Sequence, residues 1–431
     1  MEDTESTDGS APPDTQPRVR ISSPADALAI VPHLLGFHPA NSLVVIGAGR
    51  PRDRIELAFR YDLPDPPDSD KAADIAAHSL AVLNRRRLTT VIGIGYGPGR
   101  LVTPVADVLA ARLRRAGLRP RELMRVEDGR YWSYICRNLE CCPAEGVPFD
   151  VGAHPAAAAM IVAGMAAYPD RGALARTVAP VSGPAADSMD HATQRAQQRA
   201  ADLISAAAGQ SPNDPTRLLV ADGRRAVIEA IQTYRSGGQF SEDDPVAWLS
   251  VVLARLPVRD DAWARMDPEH RQPHLRLWAD VVRRACSRYV PAPASLLAFT
   301  AWQAGDGALA NIAIDRALAS DPAYSMALLL RDIMDAGVPP SAARMPMTPE
   351  QVAASYASAA SYAGMEDDPA PGSPVPAGAG RAARSGRGAG SDRGAGSDRA
   401  AGSDRGAGSD RGAGSGRGAR SGRRARKRPS R

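Results

Sequence analysis

In the first third of the chain, apolar positions alternate between short continuous runs typical of strands and stripes with helical spacing. A helix is predicted to begin at Ser23, because Pro24 suits the first helical position and Asp26 can complete a capping box. The other predicted elements are strands at residues 42–47, 55–63 and 89–95, a helix at residues 70–87, and a helix capped by Thr103 with Pro104. This order predicts an open, mostly parallel sheet with flanking helices.

The segment at residues 125–148 separates this α/β part from a second half in which apolar spacing is helical throughout. Three of the four cysteines lie in the segment, and its first residues predict a hairpin turned at Asp128-Gly129. Helices are predicted beyond it at residues 155–167, 184–208, 222–235, 245–256 and 273–287, and a helix hairpin with one further helix at residues 291–336. We therefore expect an α/β N-terminal domain followed by an all-helical domain.

The predicted domain boundaries follow from these patterns and from composition. They are a disordered leader at residues 1–17, an α/β domain at residues 18–150, a helical domain at residues 151–345, a weak helix at residues 346–365, and a disordered basic low-complexity tail at residues 366–431. The tail repeats the hexapeptide GAGSDR and, from residue 388 onwards, contains no Leu, Ile, Val or aromatic residue. Burial therefore cannot offset the entropy of ordering it.

Composition narrows the class of protein. With 431 residues, 44% of them apolar, the chain can bury a core in each of two domains. Four cysteines are too few for a disulfide framework, and the first 17 residues are acidic where a secretory signal is basic and then apolar. The longest apolar run, at residues 156–168, is too short for a membrane span. We expect a cytoplasmic protein with no transmembrane segment.

Positive charge is concentrated in the tail, although the whole chain carries a net charge of only +5. Residues 381–431 contain 14 Arg and one Lys against four Asp, so the rest of the chain is acidic overall. A basic tract binds anionic polymers by releasing their counterions. The tail therefore predicts a nucleic acid or another polyanion as partner, and a purely solubilising tail is the alternative interpretation.

Cys136, Cys141 and Cys142 lie close enough along the chain to bind one soft metal ion. A structural zinc site uses four ligands, usually in pairs two residues apart, and this spacing does not match. The pattern favours reduced structural thiols packed under Tyr131, Trp132 and Tyr134. Zinc is the alternative, and the cofactor is otherwise unknown. A catalytic cysteine ranks third, because it needs a neighbouring base or cation.

The glycine loop, from Gly93 to Gly99, follows a predicted strand and precedes a predicted helix, a context in which backbone N–H groups can hold a phosphate. Gly95, Gly97 and Gly99 are the candidate binding residues. The spacing matches neither the dinucleotide pattern G-x-G-x-x-G nor a P-loop. Close packing of strand and helix is the simpler interpretation, and a phosphate or nucleotide site is the alternative.

Several blocks of sequence form a recognisable set. They are Leu34-Leu35-Gly36-Phe37-His38-Pro39 with Ser42-Leu43-Val44-Val45, residues 129–136 with Cys141-Cys142-Pro143-Ala144-Glu145-Gly146, and residues 274–278, 293–302 and 305–310. Together they resemble the actinobacterial family DUF4192, a domain of unknown function, over roughly residues 18–340. The resemblance implies a bacterial, cytoplasmic protein from an actinomycete, and it implies no activity, ligand or partner.

Three classes of function remain open. An interaction or regulatory protein with an unknown protein partner needs only the helical surface and the tail, and it is the class that the residues favour. A nucleotide-binding or phosphate-binding protein needs the glycine loop. An enzyme needs a convergent polar site, and the seven histidines lie outside the motifs of hydrolases, metalloproteases and kinases.

Overall fold

The computed structural model describes residues 21–49, 54–210, 214–342 and 347–363, with side chains as far as residue 357. All of these residues belong to one compact unit. The predicted leader and the predicted tail, including its basic tract at residues 381–431, lie outside the described residues. Binding of a polyanion by the tail therefore stays a prediction. The domain boundary expected at residue 150 also stays a prediction.

The N-terminal half contains a mixed sheet, which has six strands among the described residues. The strands are β1 (Ser42–Gly49), β2 (Arg54–Asp62), β3 (Thr90–Tyr96), β4 (Glu122–Glu127), β5 (Arg130–Ser133) and β6 (Val147–Pro148). They are arranged in the order β2-β1-β3-β4-β5-β6. β3 and β4 run parallel, and the other neighbouring pairs run antiparallel.

The sheet is thus mixed and not mostly parallel as expected. Residues 50–53 are too few for a crossover, so β1 and β2 pair antiparallel. Asp128 and Gly129 have φ angles of 48° and 71° and form the predicted two-residue turn between β4 and β5. Only helix α3 (Gly99–Arg115) acts as a crossover between neighbouring described strands, β3 and β4, and it makes them parallel.

Helix α3 begins directly after β3, and Pro104 lies inside it. The expected start at Thr103 is therefore wrong. A Thr-Pro pair is a local capping signal, whereas Leu101 and Val102 are buried in the cluster beneath the sheet, and their burial favours an earlier first turn. Helix α2 (Ser69–Arg85) contributes to the same cluster.

The opposite face of the sheet carries Val44, Ile46 and Ile94, which belong to the main hydrophobic cluster. The same cluster contains residues of α1 (Pro24–Leu35) and of the C-terminal helices, including the fully buried Trp278. The two halves therefore share a core through this face.

The C-terminal half is helical. Its helices are α4 (Pro155–Val162), α5 (Arg171–Arg176), α6 (Pro184–Gln210), α7 (Arg217–Arg235), α8 (Asp243–Val252), α9 (Leu256–Ala264), α10 (Arg271–Arg284), α11 (Pro291–Gln303), α12 (Gly307–Ser320), α13 (Ser325–Asp335) and α14 (Pro349–Ala363). The single helix expected at residues 245–256 is divided into α8 and α9, because Pro257 lies in the first turn of α9. Among the described helices, none has the length and apolar character that crossing a membrane requires.

Candidate functional site

The cysteine loop, residues 134–146, leaves the sheet at the end of β5. The hydroxyl of Ser133 accepts hydrogen bonds from the N–H groups of Ile135, at 3.1 Å, and Cys136, at 3.0 Å. The same hydroxyl donates to Glu122 Oε1 at 2.7 Å. One side chain therefore fixes the first turn of the loop and the backbone of Cys136.

The three thiols of the cysteine loop converge. The Sγ atoms of Cys136 and Cys141 are 3.2 Å apart, and those of Cys141 and Cys142 are 3.8 Å apart. All three lie within 4.8 Å of one another, and all three are free thiols. The N–H of Cys142 donates to the carbonyl of Asn138 at 2.8 Å, and this turn brings the two adjacent thiols together.

The three thiols are only partly covered by other side chains. Cys141 is exposed, Cys136 and Cys142 are partly buried, and none of the three belongs to the hydrophobic clusters of the described residues. The hydrogen bond from the Cys141 thiol lowers the pKa of Cys136. Burial raises the pKa of Cys142 to about 12. The thiols thus interact mainly with one another.

Trp132 holds the far end of the loop. Its Nε1 donates to the carbonyl of Ala144 at 3.0 Å. Gly146 has a φ of +83°, and a Cβ at this position would lie 2.5 Å from the indole ring. The guanidinium of Arg130 donates to the carbonyl of Gly146 at 2.8 Å. Glycine is required here because any side chain would push the loop away from Trp132.

The thiol cluster has dimensions suited to a soft metal ion. Zinc–sulfur bonds of about 2.3 Å in a tetrahedral site place the sulfur atoms roughly 3.8 Å apart. The thiols of Cys141 and Cys142 have this separation, 3.8 Å, and the thiol of Cys136 lies nearer, at 3.2 Å from Cys141. A movement of about 0.6 Å opens that pair to the tetrahedral distance. Three thiolates also leave one coordination position open, as in zinc sites that accept an external ligand.

His154, downstream of the cysteine loop, and Cys286, distant along the chain, do not join the thiol cluster. The Nδ1 of His154 accepts the N–H of Ala156 at 3.2 Å, and its Nε2 lies 3.7 Å from Asp26. The thiol of Cys286 donates to Asp190 Oδ1 at 3.0 Å. The described ligand set is therefore limited to the three cysteines of the loop.

The glycine loop spans the junction of β3 and α3, because Gly93 and Gly95 lie within β3 and Gly99 is the first residue of α3. A Cβ on Gly93 would lie 2.6 Å from Leu123, and a Cβ on Gly95 would collide with Val102. Gly97 has a φ of +128°, and its N–H donates to a carbonyl of β4 at 2.8 Å. Close packing accounts for these glycines, and phosphate binding stays a prediction.

Arg125 connects the glycine loop with the cysteine loop. A Cβ on Gly99 would collide with the Arg125 guanidinium, which also lies over the ring of Trp132, 3.9 Å from its centroid. Its Nη1 is 3.2 Å from Glu127 Oε2. Arg125 was not apparent as a functional residue from the sequence, although it lies on β4, between the glycine loop and the cysteine loop along the chain.

The candidate segments lie in a region that one family model covers. A model described as a domain of unknown function, DUF4192, matches residues 24–341. The chain belongs to this family. The resemblance inferred from the sequence blocks is thereby confirmed, and both loops lie inside the DUF4192 region. No curated protein and no solved structure matches the chain.

Proposed function

We propose that this DUF4192 protein is a cytoplasmic interaction or regulatory protein that binds a soft metal ion through Cys136, Cys141 and Cys142. The observation that carries the proposal is the convergence of three free thiols within 4.8 Å on one loop. Thiolates select zinc and Cu(I) over harder divalent ions, so these are the ions expected. A reducing compartment suits a site of this kind, because neighbouring free thiols oxidise readily elsewhere.

The surroundings of the thiols favour a binding role over catalysis. A catalytic cysteine needs a base that takes its proton, and histidine is the usual one. The nearest histidine along the chain, His154, is engaged with Ala156 and Asp26. The cluster instead has ligand atoms facing one another, which is what metal binding requires.

A regulatory role follows from what else the cysteine loop carries. Ile135 is 43% exposed and Leu139 is 70% exposed, although both are large apolar side chains. These two side chains would supply the apolar contacts to a protein partner on the same loop as the thiols. A bound ion would restrict the loop and so hold these two side chains in one arrangement, and metal occupancy would thereby control binding of the partner.

Metal analysis tests the first part of the proposal. The full chain, purified without chelator, is analysed for metals and titrated with Co²⁺, which gives a thiolate charge-transfer absorption band when bound by cysteines. We expect one soft ion per chain in the wild type and its loss in Cys141→Ser. Cys286→Ser is the matched control, because Cys286 bonds to Asp190 outside the loop. A wild type without stoichiometric metal and without a cobalt band contradicts the proposal, as does equal loss in both variants.

A second experiment separates the metal from the partner. Leu139→Ser removes the most exposed apolar side chain of the loop and leaves all three thiols in place. We expect this variant to bind metal as the wild type does. Partner proteins should copurify with the metal-loaded wild type, and they should be absent both from the chelator-treated wild type and from Leu139→Ser. Copurification that is equal in the loaded, chelated and Leu139→Ser proteins contradicts the regulatory role of the loop.

A phosphate-bearing ligand at the glycine loop is the second candidate function. The position of Arg125 favours it, because a guanidinium lies beside Gly99 at the start of α3, where backbone N–H groups point outward. Pyrophosphate or ATP is then expected to raise the melting temperature of the wild type and not of Arg125→Gln. Arg114→Gln, an exposed change at the other end of α3, is the control. No change in melting temperature with either ligand rules this candidate out.

A further inference from the structure

A cavity of about 240 Å³ lies in the helical half, between the end of α9, the start of α10 and the end of α11. The rings of Trp263 and Phe299 form its apolar walls and meet edge to face, with centroids 5.4 Å apart. Met266 and Ala264 add further apolar surface. The cavity lies far along the chain from the cysteine and glycine loops and is not part of the metal site.

His274 lines the cavity and is only 1% exposed. His270 and His274 lie four residues apart, but their rings have different partners. His270 Nδ1 lies 2.7 Å from Asp267 Oδ2. His274 Nε2 accepts the N–H of Asp267 at 3.5 Å, and its Nδ1 has no partner among the described residues.

The protonation of His274 follows from these contacts. Burial lowers its pKa to about 4, so the ring is neutral near neutral pH. Because Nε2 is the acceptor, the single ring proton lies on Nδ1, which is therefore a hydrogen-bond donor. A buried donor without an acceptor is unfavourable, since it has lost its hydrogen bond to water.

Trp263 supplies a second donor of the same kind. Its Nε1 is buried and has no partner in the described part of the chain. The other polar side chain deep in the cavity, Thr300, already donates to the carbonyl of Leu296 at 2.8 Å. Asp267 is also engaged, because its Oδ1 accepts the N–H of Glu269 at 2.9 Å. Gln303 also lines the cavity, and its Nε2 donates to the carbonyl of Pro340 at 3.0 Å. Among the described side chains that line the cavity, Trp263 and His274 carry the buried nitrogens without a partner.

We infer that this cavity binds a small monocyclic aromatic molecule that carries a hydrogen-bond acceptor oxygen, as a carboxylate or a carbonyl. An apolar cavity of about 150 Å³ holds benzene, so a volume of 240 Å³ suits one ring with a short substituent. In this arrangement the aromatic walls contact the ring, and the unpartnered N–H groups of Trp263 and His274 are the donors available to the acceptor oxygen. Arg271 lines the cavity and is exposed, whereas the Asp267 carboxylate, which also lines it, is bonded to the N–H of Glu269 and to His270. The arginine therefore favours an anionic substituent over a cationic one.

Three probes of similar shape test the inference on the full chain. Benzoate offers a charged acceptor, benzamide a neutral acceptor, and benzylamine a cationic donor without an acceptor. Saturation-transfer NMR and calorimetry measure the binding of each. We expect saturable binding of benzoate or benzamide with one site per chain and no saturable binding of benzylamine. Comparison of the dissociation constants of benzoate and benzamide shows whether the site prefers a charged or a neutral acceptor.

Two tryptophan variants locate the binding. Trp263→Phe keeps the aromatic wall and removes the N–H donor, so the dissociation constant of the probe that binds the wild type should rise about tenfold. Trp278→Phe is the matched control, because its Nε1 is also buried without a described partner but does not line the cavity. The Trp278→Phe variant should bind the same probe as tightly as the wild type does. If Trp263→Phe melts early, Ala264→Leu serves instead, since its added bulk occupies the cavity.

The inference is overturned if none of the three probes binds saturably, if benzylamine binds as well as benzoate and benzamide, or if Trp263→Phe and Ala264→Leu both bind as the wild type does. Cys141→Ser should leave probe binding unchanged. This result makes failure of the metal proposal distinguishable from failure of the cavity proposal.

Discussion

The guanidinium of Arg125 stacks on the indole of Trp132, 3.9 Å from the ring centroid, and this contact links the two loops that carry the candidate chemistry. Trp132 holds the cysteine loop by its hydrogen bond to Ala144, and Arg125 lies against Gly99 at the start of α3. The neighbouring strands β4 and β5, on which Arg125 and Trp132 are directly paired, therefore position both loops through these two side chains.

Loss of the Arg125 side chain should weaken the fold slightly. Arg125→Ala removes a cation–π contact and a 3.2 Å ion pair with Glu127, both partly exposed, so we expect a loss of about 1 kcal/mol in the free energy of unfolding. Urea unfolding measures the loss, with Arg114→Ala as an exposed control on α3 expected within roughly 0.5 kcal/mol of wild type. Equal effects of the two changes would show that the stacking contributes nothing.

A pair of glycine changes separates steric collision from backbone strain. Gly146 and Gly164 have similar φ angles, +83° and +78°, but a Cβ would meet the Trp132 ring only at Gly146, since nothing lies within 4 Å of Gly164. Gly164→Ala should cost about 1 kcal/mol for the left-handed backbone alone. Gly146→Ala should cost more and should also weaken metal binding. Similar unfolding free energies for the two variants would argue against the proposed packing of Gly146 on Trp132.

The buried His274 should make stability depend on pH. Burial lowers its pKa from 6.5 to about 4, so the unfolded chain takes up a proton more readily than the folded chain. The stability that the neutral ring contributes is therefore complete above pH 6.5 and is lost as the pH falls towards about 4. The full loss corresponds to roughly 3 kcal/mol.

Urea unfolding of wild type and His274→Gln at about pH 7 and about pH 5 checks this dependence. Glutamine does not titrate, so the variant should lose less stability than wild type between the two values. An equal loss in the two proteins would assign the pH dependence to other groups.

Asp306 should act as a helix cap. Its Oδ1 accepts the N–H of Leu309 at 2.9 Å at the start of α12, and burial raises its pKa. Asp306→Ala removes the cap and should cost about 1 kcal/mol. Asp306→Asn keeps an acceptor and removes a buried charge, so its melting temperature should equal or exceed that of wild type at neutral pH. A larger loss of stability in Asp306→Asn than in Asp306→Ala would point to a role for the charge itself.

Removal of residues 370–431 should leave the fold intact and abolish binding to polyanions. Contacts divide the chain after Pro369, so the truncated protein should melt cooperatively at the temperature of the full chain. The removed part includes the 14 Arg at residues 381–431, so salt-dependent binding to duplex DNA should disappear with it. Fluorescence anisotropy at low and high salt measures this. DNA binding that is equal in the two forms, or absent from both, would contradict the predicted role.

Local signals in the sequence determined the elements that form within a few residues. The capping box of Ser23 and Asp26 and the turn at Asp128-Gly129 occur as predicted, because each depends on backbone conformation and on hydrogen bonds between near neighbours. The family was also apparent from the sequence blocks alone.

Tertiary structure decided what depends on distant partners. The direction of the strands followed from β1 pairing with β3, a choice made by side chains on separate segments, and the burial of Val102 overrode the cap signal at Thr103. The adjacent thiols of Cys141 and Cys142 meet at 3.8 Å because a turn bends their backbone. The cavity beside His274 arises where α9, α10 and α11 meet, and no spacing along one helix encodes it, because burial is set by packing between helices.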